Sequence, residues 1–165
     1  MRRAGRPAVH TPPAARGRAG APRRRGRGFV LDSHALLAYF EGEASGALVR
    51  ALIRDAEQRR TRLYVSLINW GEVFYIVRRE KGELAAHEVI ARLDVLPIVL
   101  RSVDRQLVLA AATLKATHPI AYADAFAAAT ANLLNVPVVT GDPEFRRLEP
   151  ETKVVWTTKT QAADA

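Results

Sequence analysis

The 165-residue sequence contains no cysteine, which excludes disulfide bonds and thiolate metal ligands. Any metal site must therefore use oxygen or histidine ligands, and carboxylates are the ligands that suit Mg²⁺ or Mn²⁺. The sequence also lacks a secretory signal peptide and any uncharged apolar run of transmembrane length. Glycine-rich phosphate-binding loops and serine or cysteine nucleophile motifs are absent as well. These absences predict a cytoplasmic protein without a membrane anchor.

Acidic residues are absent from residues 1–28, which contain nine arginines and many prolines and glycines. Without those nine, 16 Lys and Arg stand against 17 Asp and Glu, so the net charge of +8 belongs to this segment. Such a composition cannot bury enough apolar surface to offset its ordering entropy, which predicts a disordered extension. The extension is an arm that attracts nucleic acid, a targeting peptide, or an upstream segment without a chemical role, with translation then starting near Val30.

The whole chain is 48% hydrophobic. After residue 28, short apolar strands alternate with helical patterns. We predict one domain over residues 29–157, followed by a C-terminal tail over 158–165. The alternation indicates an α/β fold with a central, mostly parallel sheet of four or five strands, covered by helices on both faces. The predicted strands are "FVLD" (29–32), Arg62–Ile68, "PIVLRSV" (97–103), "VPVVTGD" (136–142) and the edge strand "KVVW" (153–156).

Four acidic residues differ in context from ordinary surface acids. Asp32 and Asp142 follow apolar strands, and a parallel sheet places such positions at one edge. Glu72 and Asp124 lie in helical segments whose neighbouring residues are mostly apolar or small. Each acid taken alone is also compatible with a helix cap or a solvated position. If the four converge, each pair about 5 Å apart costs roughly 3 kcal/mol, and a divalent cation would offset that repulsion.

Three stretches carry a family resemblance: "FVLDSHALLAYF", "VSLINWGEVFYIVRR" and "IAYADAFAAATANLLNVPVVTGDPEF". In this order they resemble the motifs of PIN-domain ribonucleases, most closely the VapC-type toxins of toxin–antitoxin modules. The resemblance implies an α/β/α sandwich and covers about residues 29–156. It also implies that an acidic quartet is catalytic and binds Mg²⁺ or Mn²⁺, supported by polar neighbours. The quartet is Asp32, Glu72, Asp124 and Asp142, and the supporting residues are Ser33, Asn69 and Thr140.

The same resemblance implies an activity and partners. It predicts hydrolysis of RNA, often structured RNA, that leaves a 5′-phosphate and a 3′-hydroxyl. It further predicts a homodimer and inhibition by a small VapB-like antitoxin whose tail enters the site. Arg146 and Arg147 follow the last acid and are placed to meet RNA phosphates or, equally, to lie in solvent as helix charges.

Two other functions remain open from the residues. One is a metal-dependent phosphatase, although Asp32 is followed by Ser-His rather than by a second aspartate two residues later. The other is a non-catalytic RNA-binding protein that uses the arginine-rich arm, although all four acids are intact.

Overall fold

The computed structural model describes residues 27–157, except for the side chain of Arg27. The predicted C-terminal tail and almost all of the predicted disordered extension lie outside this range. Arg27 and Gly28, which we had assigned to the extension, begin the first strand instead. The strands are β1 (Arg27–Leu31), β2 (Thr61–Ser66), β3 (Ile98–Arg101), β4 (Val138–Thr140) and β5 (Val154–Trp156). The helices are α1 (Ser33–Phe40), α2 (Ala47–Glu57), α3 (Leu67–Lys81), α4 (Glu83–Asp94), α5 (Arg105–Thr117) and α6 (Tyr122–Leu134), with 3₁₀ turns at Ala44–Gly46 and Pro143–Arg147.

The five strands form one sheet in the order β3-β2-β1-β4-β5. Every neighbouring pair is parallel; Val30, for example, lies beside Tyr64 of β2 and Val138 of β4. The predicted parallel α/β sheet is therefore confirmed, including the edge strand that follows Lys153.

Helices cover both faces of the sheet because consecutive residues of a strand point to opposite sides. Leu31 of β1 packs into a core with residues of α1, α2, α3 and α4. Its neighbour Val30 packs into a second core with residues of α5 and α6. The layers are thus α/β/α, as predicted. Among residues 27–157, no helix combines the length and the apolar character needed to traverse a membrane.

Several predicted boundaries are wrong by one or two residues, and two of these differences have a visible structural cause. We extended the second strand to Ile68, but β2 ends at Ser66, whose hydroxyl accepts a hydrogen bond from the Asn69 amide and so begins α3. The sequence "SGALVRALIRDAEQRR" predicts a helix that begins at Ser45, but α2 begins at Ala47, after a 3₁₀ turn. Gly46 lies so close to α1 that a Cβ there would be 2.6 Å from the carbonyl oxygen of Ala38.

The strand order creates a reversal point beside β1. The chain moves outward from β1 through β2 to β3 and then crosses, through α5 and α6, to β4 on the other side of β1. In parallel sheets the crevice at such a reversal, at the carboxyl ends of the strands, is the usual ligand site. Asp32 and Asp142 follow the two strands that flank this point.

Candidate active site

Asp32 is held where β1 passes into α1. Its Oδ1 accepts a hydrogen bond from the Ala35 amide at 2.7 Å, which caps α1, and its Oδ2 accepts one from the Thr140 hydroxyl of β4. The residue is only 1% exposed. Burial raises the pKa of Asp32 to about 8, and the nearby charges of Asp124 and Asp142 act in the same direction, while the two hydrogen bonds partly oppose the shift.

Asp142 lies just beyond the end of β4. The Thr140 hydroxyl accepts a hydrogen bond from the Asp142 amide at 2.9 Å while it donates to Asp32, so one side chain links both strand-end acids. Oδ1 of Asp142 accepts from the Glu144 amide at 2.8 Å and caps the 3₁₀ turn, in which Pro143 is the first residue. The predicted supporting residue Thr140 is therefore placed between two members of the quartet.

Glu72 reaches the site from α3. Its Oε2 accepts a hydrogen bond from the Ser33 hydroxyl at 2.6 Å, and Ser33 is the first residue of α1, directly after Asp32. The serine hydroxyl in turn accepts from Nδ2 of Asn69 at 3.1 Å. The other two predicted supporting residues, Ser33 and Asn69, thus lie in a hydrogen-bond chain that ends on Glu72.

Asn69 is fully buried and connects several elements. Its Oδ1 accepts from the Ser66 hydroxyl, while its Nδ2 donates to the Ser33 hydroxyl and to the carbonyl oxygen of Ala123 at 3.2 Å. The last contact fixes the first turn of α6 against α3. Since Ala123 directly precedes Asp124, one amide side chain positions both helix-borne acids.

Asp124 lies in the first turn of α6 and is 8% exposed. The surrounding alanines of α6 are buried, which allows the helix to pack closely against its neighbours. Burial, together with the charges of Asp142, Glu72 and Glu144, raises the pKa of Asp124 to about 7, and a hydrogen bond from the Ala121 amide partly opposes the shift. The four predicted acids therefore interact electrostatically at one edge of the sheet.

No basic side chain neutralises this group within residues 27–157, because none of the ion pairs there involves any of the four predicted acids. Two buried carboxyl groups with raised pKa values, Asp32 and Asp124, and the half-buried Glu72 and Asp142 form an all-oxygen donor set of the kind that suits a hard divalent cation. In the same range, no three Asp, Glu or His side chains stand at the spacing of a closed metal cage. Cation binding would thus require the acidic side chains of the site to move closer to one another.

The two arginines predicted to meet RNA make different contacts. Nη1 of Arg147 donates to the carbonyl oxygen of Pro119 at 2.8 Å and lies 3.8 Å from Glu144. Arg146 instead places its guanidinium over the ring of Trp156, 5.9 Å from the ring centroid. Both arginines are exposed, but they do not form a common pair of phosphate contacts.

Sequence reasoning missed two polar residues of the site. Glu144 adds a fifth carboxylate beside Asp124, and its only sequence signal is its position two residues after Asp142. Ser66 supports Asn69, and the signal for it was a serine directly ahead of a helical pattern.

Gly141, directly before Asp142, occupies a tightly packed position. A Cβ at this position would lie 2.6 Å from Oγ1 of Thr157 and 2.7 Å from Cε1 of His34. Only glycine fits there without movement of those neighbours. The segment between β4 and the 3₁₀ turn is therefore packed between α1 and the end of β5.

The comparison with known families agrees with this arrangement. Residues 29–150 match the family model of the PIN domain. The chain belongs to the PIN domain family. No curated protein sequence matches it.

Solved structures of other proteins share the fold of this PIN domain at low sequence identity. DNA-bound VapBC from Salmonella typhimurium is 16% identical, with a TM-score of 0.64 over 80% of this chain and 99% of that one. A toxin–antitoxin complex from Klebsiella pneumoniae is 18% identical, with a TM-score of 0.57 over 79% and 98%. VapC20 from Mycobacterium tuberculosis, a toxin that cleaves the sarcin–ricin loop, is 16% identical, with a TM-score of 0.56 over 75% and 95%.

Proposed function

We propose that this PIN domain is a metal-dependent endoribonuclease and acts as the VapC-like toxin of a type II toxin–antitoxin system in the cytoplasm. The observation that carries the proposal is a group of buried and half-buried carboxylates, without a neutralising base among residues 27–157, beside the reversal point of a parallel sheet. The similarity to toxin structures supports it, since one of these proteins cleaves the sarcin–ricin loop.

Asp32, Asp124 and Asp142 would hold Mg²⁺ or Mn²⁺, and Glu72 would complete the ligand set or orient the attacking water. The cation would supply positive charge that activates water and stabilises the charge developing on the phosphodiester. Ser33 fixes Glu72 by its hydrogen bond, which limits the directions from which that carboxylate can accept a proton. Hydrolysis would leave a 5′-phosphate and a 3′-hydroxyl.

The raised pKa values bear on how the cation would be bound. Asp32 and Asp124 are partly protonated near neutral pH in the metal-free protein, because burial and mutual repulsion disfavour the charged forms. Ligation requires the carboxylates, so cation binding would release protons and would tighten as the pH rises.

The proposal includes partners. A small VapB-like antitoxin would inhibit the enzyme by placing its tail in the acidic site, where a basic side chain would meet uncompensated carboxylates. The enzyme itself would be a homodimer, which light scattering would detect as a mass twice the 18.1 kDa of one chain.

The test is cleavage of total RNA by purified protein with Mg²⁺ or Mn²⁺, beside EDTA and beside Asp124→Asn. The matched control is Glu88→Gln, which removes the same charge from an exposed position of α4. We expect discrete fragments with the wild type and the control variant and none with EDTA or Asp124→Asn. End labelling then checks for 5′-phosphates.

Equal behaviour of wild type and Asp124→Asn, with circular dichroism showing both folded, would contradict the enzyme proposal. If both then retain RNA in a filter-binding assay, the non-catalytic RNA-binding function is favoured. Cleavage of a phosphomonoester with no action on RNA would favour a phosphatase instead.

A further inference from the structure

The loop that joins α5 to α6, residues 118–121, determines where Asp124 stands. Asp124 comes three residues after Ala121, in the first turn of α6. The N-cap residue of α6, Ala121, makes no side-chain hydrogen bond that caps the helix. The position of this helix end therefore depends on contacts from elsewhere in the fold.

Those contacts come from the 3₁₀ turn that begins after Asp142. Oε2 of Glu144 accepts a hydrogen bond from the Ala121 amide at 3.1 Å, and Nη1 of Arg147 donates to the Pro119 carbonyl at 2.8 Å. The two side chains lie 3.8 Å apart and so support each other. One short turn thus holds the loop through an N–H group and a carbonyl group.

The Ala121 amide is also approached by a second carboxylate. The same N–H group that binds Glu144 also lies within hydrogen-bonding reach of the Asp124 carboxylate. An acid at the third position of a helix commonly folds back onto the N-cap amide. Glu144 and Asp124 thus share this amide, which links the 3₁₀ turn to the first turn of α6.

We propose that Glu144 and Arg147 are positioning residues that fix Asp124 relative to Asp142 for cation binding. The loop clamp, Glu144 with Arg147, joins the segment that carries Asp142 to the segment that carries Asp124. Arg147 therefore acts through the Pro119 carbonyl and is not a phosphate contact. The inference depends on the proposed function only in that the cation is taken to bind at these acids.

The first experiment is Mn²⁺ titration calorimetry of the full chain at pH 7.5. We expect Arg147→Ala and Glu144→Ala to weaken Mn²⁺ binding about 3- to 10-fold, as the loss of one or two hydrogen bonds predicts. Arg146→Ala is the matched control, because Arg146 belongs to the same turn but stacks on Trp156; its affinity should stay within about twofold of wild type.

A second pair of variants separates the hydrogen bond from the charge. Glu144→Gln keeps an oxygen acceptor for the Ala121 amide, whereas Glu144→Ala removes it. We expect the glutamine variant to bind Mn²⁺ more tightly than the alanine variant and to retain slow hydrogen exchange at the Ala121 amide. Equal affinities for the two variants would overturn the role of Glu144.

RNA binding in EDTA distinguishes the positioning role of Arg147 from a phosphate contact. We expect Arg147→Ala to bind a labelled RNA as wild type does, with an unchanged dependence on salt. A loss of RNA affinity and a shallower salt dependence, with Mn²⁺ binding intact, would overturn the proposal. Absence of Mn²⁺ binding by the wild type would also overturn it, whereas Mn²⁺ binding without RNA cleavage would contradict the proposed ribonuclease alone.

Discussion

Asp32 and Asp124 belong to the same acidic site, but the fold holds them by different means. Asp32 ends a central strand, and both of its oxygens accept hydrogen bonds, one from its own helix and one from β4. Asp124 lies at the start of a helix whose position is set by Asn69 and by the loop clamp. A strand-end acid is therefore fixed by the sheet, whereas a helix-borne acid is only as fixed as the contacts that dock its helix.

The largest effect is expected on RNA cleavage, when Asp32 or Asp124 is lengthened by one methylene to glutamate. Asp32→Glu is expected to reduce RNA cleavage at least about 10³-fold, because the buried carboxylate cannot move without losing both hydrogen bonds. Asp124→Glu should reduce it only about 10- to 100-fold, since that helix end can shift. Initial rates of cleavage at saturating Mg²⁺ measure both; an equal loss for the two variants would refute the distinction.

Stability of the metal-free protein should fall as the pH rises from about 4 to 8. The folded pKa values of Asp32, about 8, and Asp124, about 7, lie above the value of 3.8 for an unperturbed aspartate. The folded state thus binds more protons than the unfolded state across this window, so the stabilisation is complete below pH 3.8 and is lost as each group ionises. We expect a decrease of several kcal/mol in the free energy of unfolding across this window.

Urea unfolding in EDTA at several pH values measures this decrease. Asp32→Asn should remove the larger part of the pH dependence and Asp124→Asn the smaller, because Asp32 is the more deeply buried. Added Mg²⁺ should restore stability at pH 8 in the wild type. A flat profile for the wild type would show that neither carboxyl group is protonated in the folded protein.

Replacement of Asn69 should disturb the helix-borne acids more than the strand-end acids. Asn69→Ala removes the side-chain hydrogen bonds to the Ala123 carbonyl and to the Ser33 and Ser66 hydroxyls, and we expect a loss of about 2 kcal/mol in the free energy of unfolding. Carbon-13 NMR should show shifts at the carboxyl groups of Glu72 and Asp124. Shifts confined to Asp32 would contradict this assignment.

The smallest effect is expected from Thr140→Val, which keeps the shape of β4 and removes the hydrogen bonds of the hydroxyl to Asp32 and to the Asp142 amide. The free energy of unfolding should fall by about 1 kcal/mol at pH 8, where the carboxylate is partly charged. The pKa of Asp32 should rise, because the hydroxyl stabilises its ionised form. An NMR titration measures this rise, and the pKa of Asp124 should stay constant as the internal control.

Much of this arrangement could be predicted because it depends on local patterns. Short apolar segments alternating with helical periodicity predicted a parallel α/β sheet, and a strand followed at once by an acid predicted where Asp32 would lie. The errors at the end of β2 and at the start of α2 arose where capping and packing, rather than local periodicity, set the boundary. Leu67 and Ile68 are apolar and continue the strand pattern, but Ser66 caps α3, so both residues belong to that helix and are exposed. The sequence around Gly46 has ordinary helical periodicity, but Gly46 packs closely against α1, and α2 begins only after it.

The sequence by itself determined the layered α/β class, the residue types available at one edge of the sheet and the exclusion of thiolate chemistry, since these follow from periodicity and composition. Only the tertiary structure decided that β1 lies between β2 and β4, that Asn69 joins α3 to α6, and that Glu144 and Arg147 hold the loop before Asp124. The physical reason is that these contacts join residues far apart in the chain. Their partners are chosen by the packing of whole elements, which no local pattern encodes.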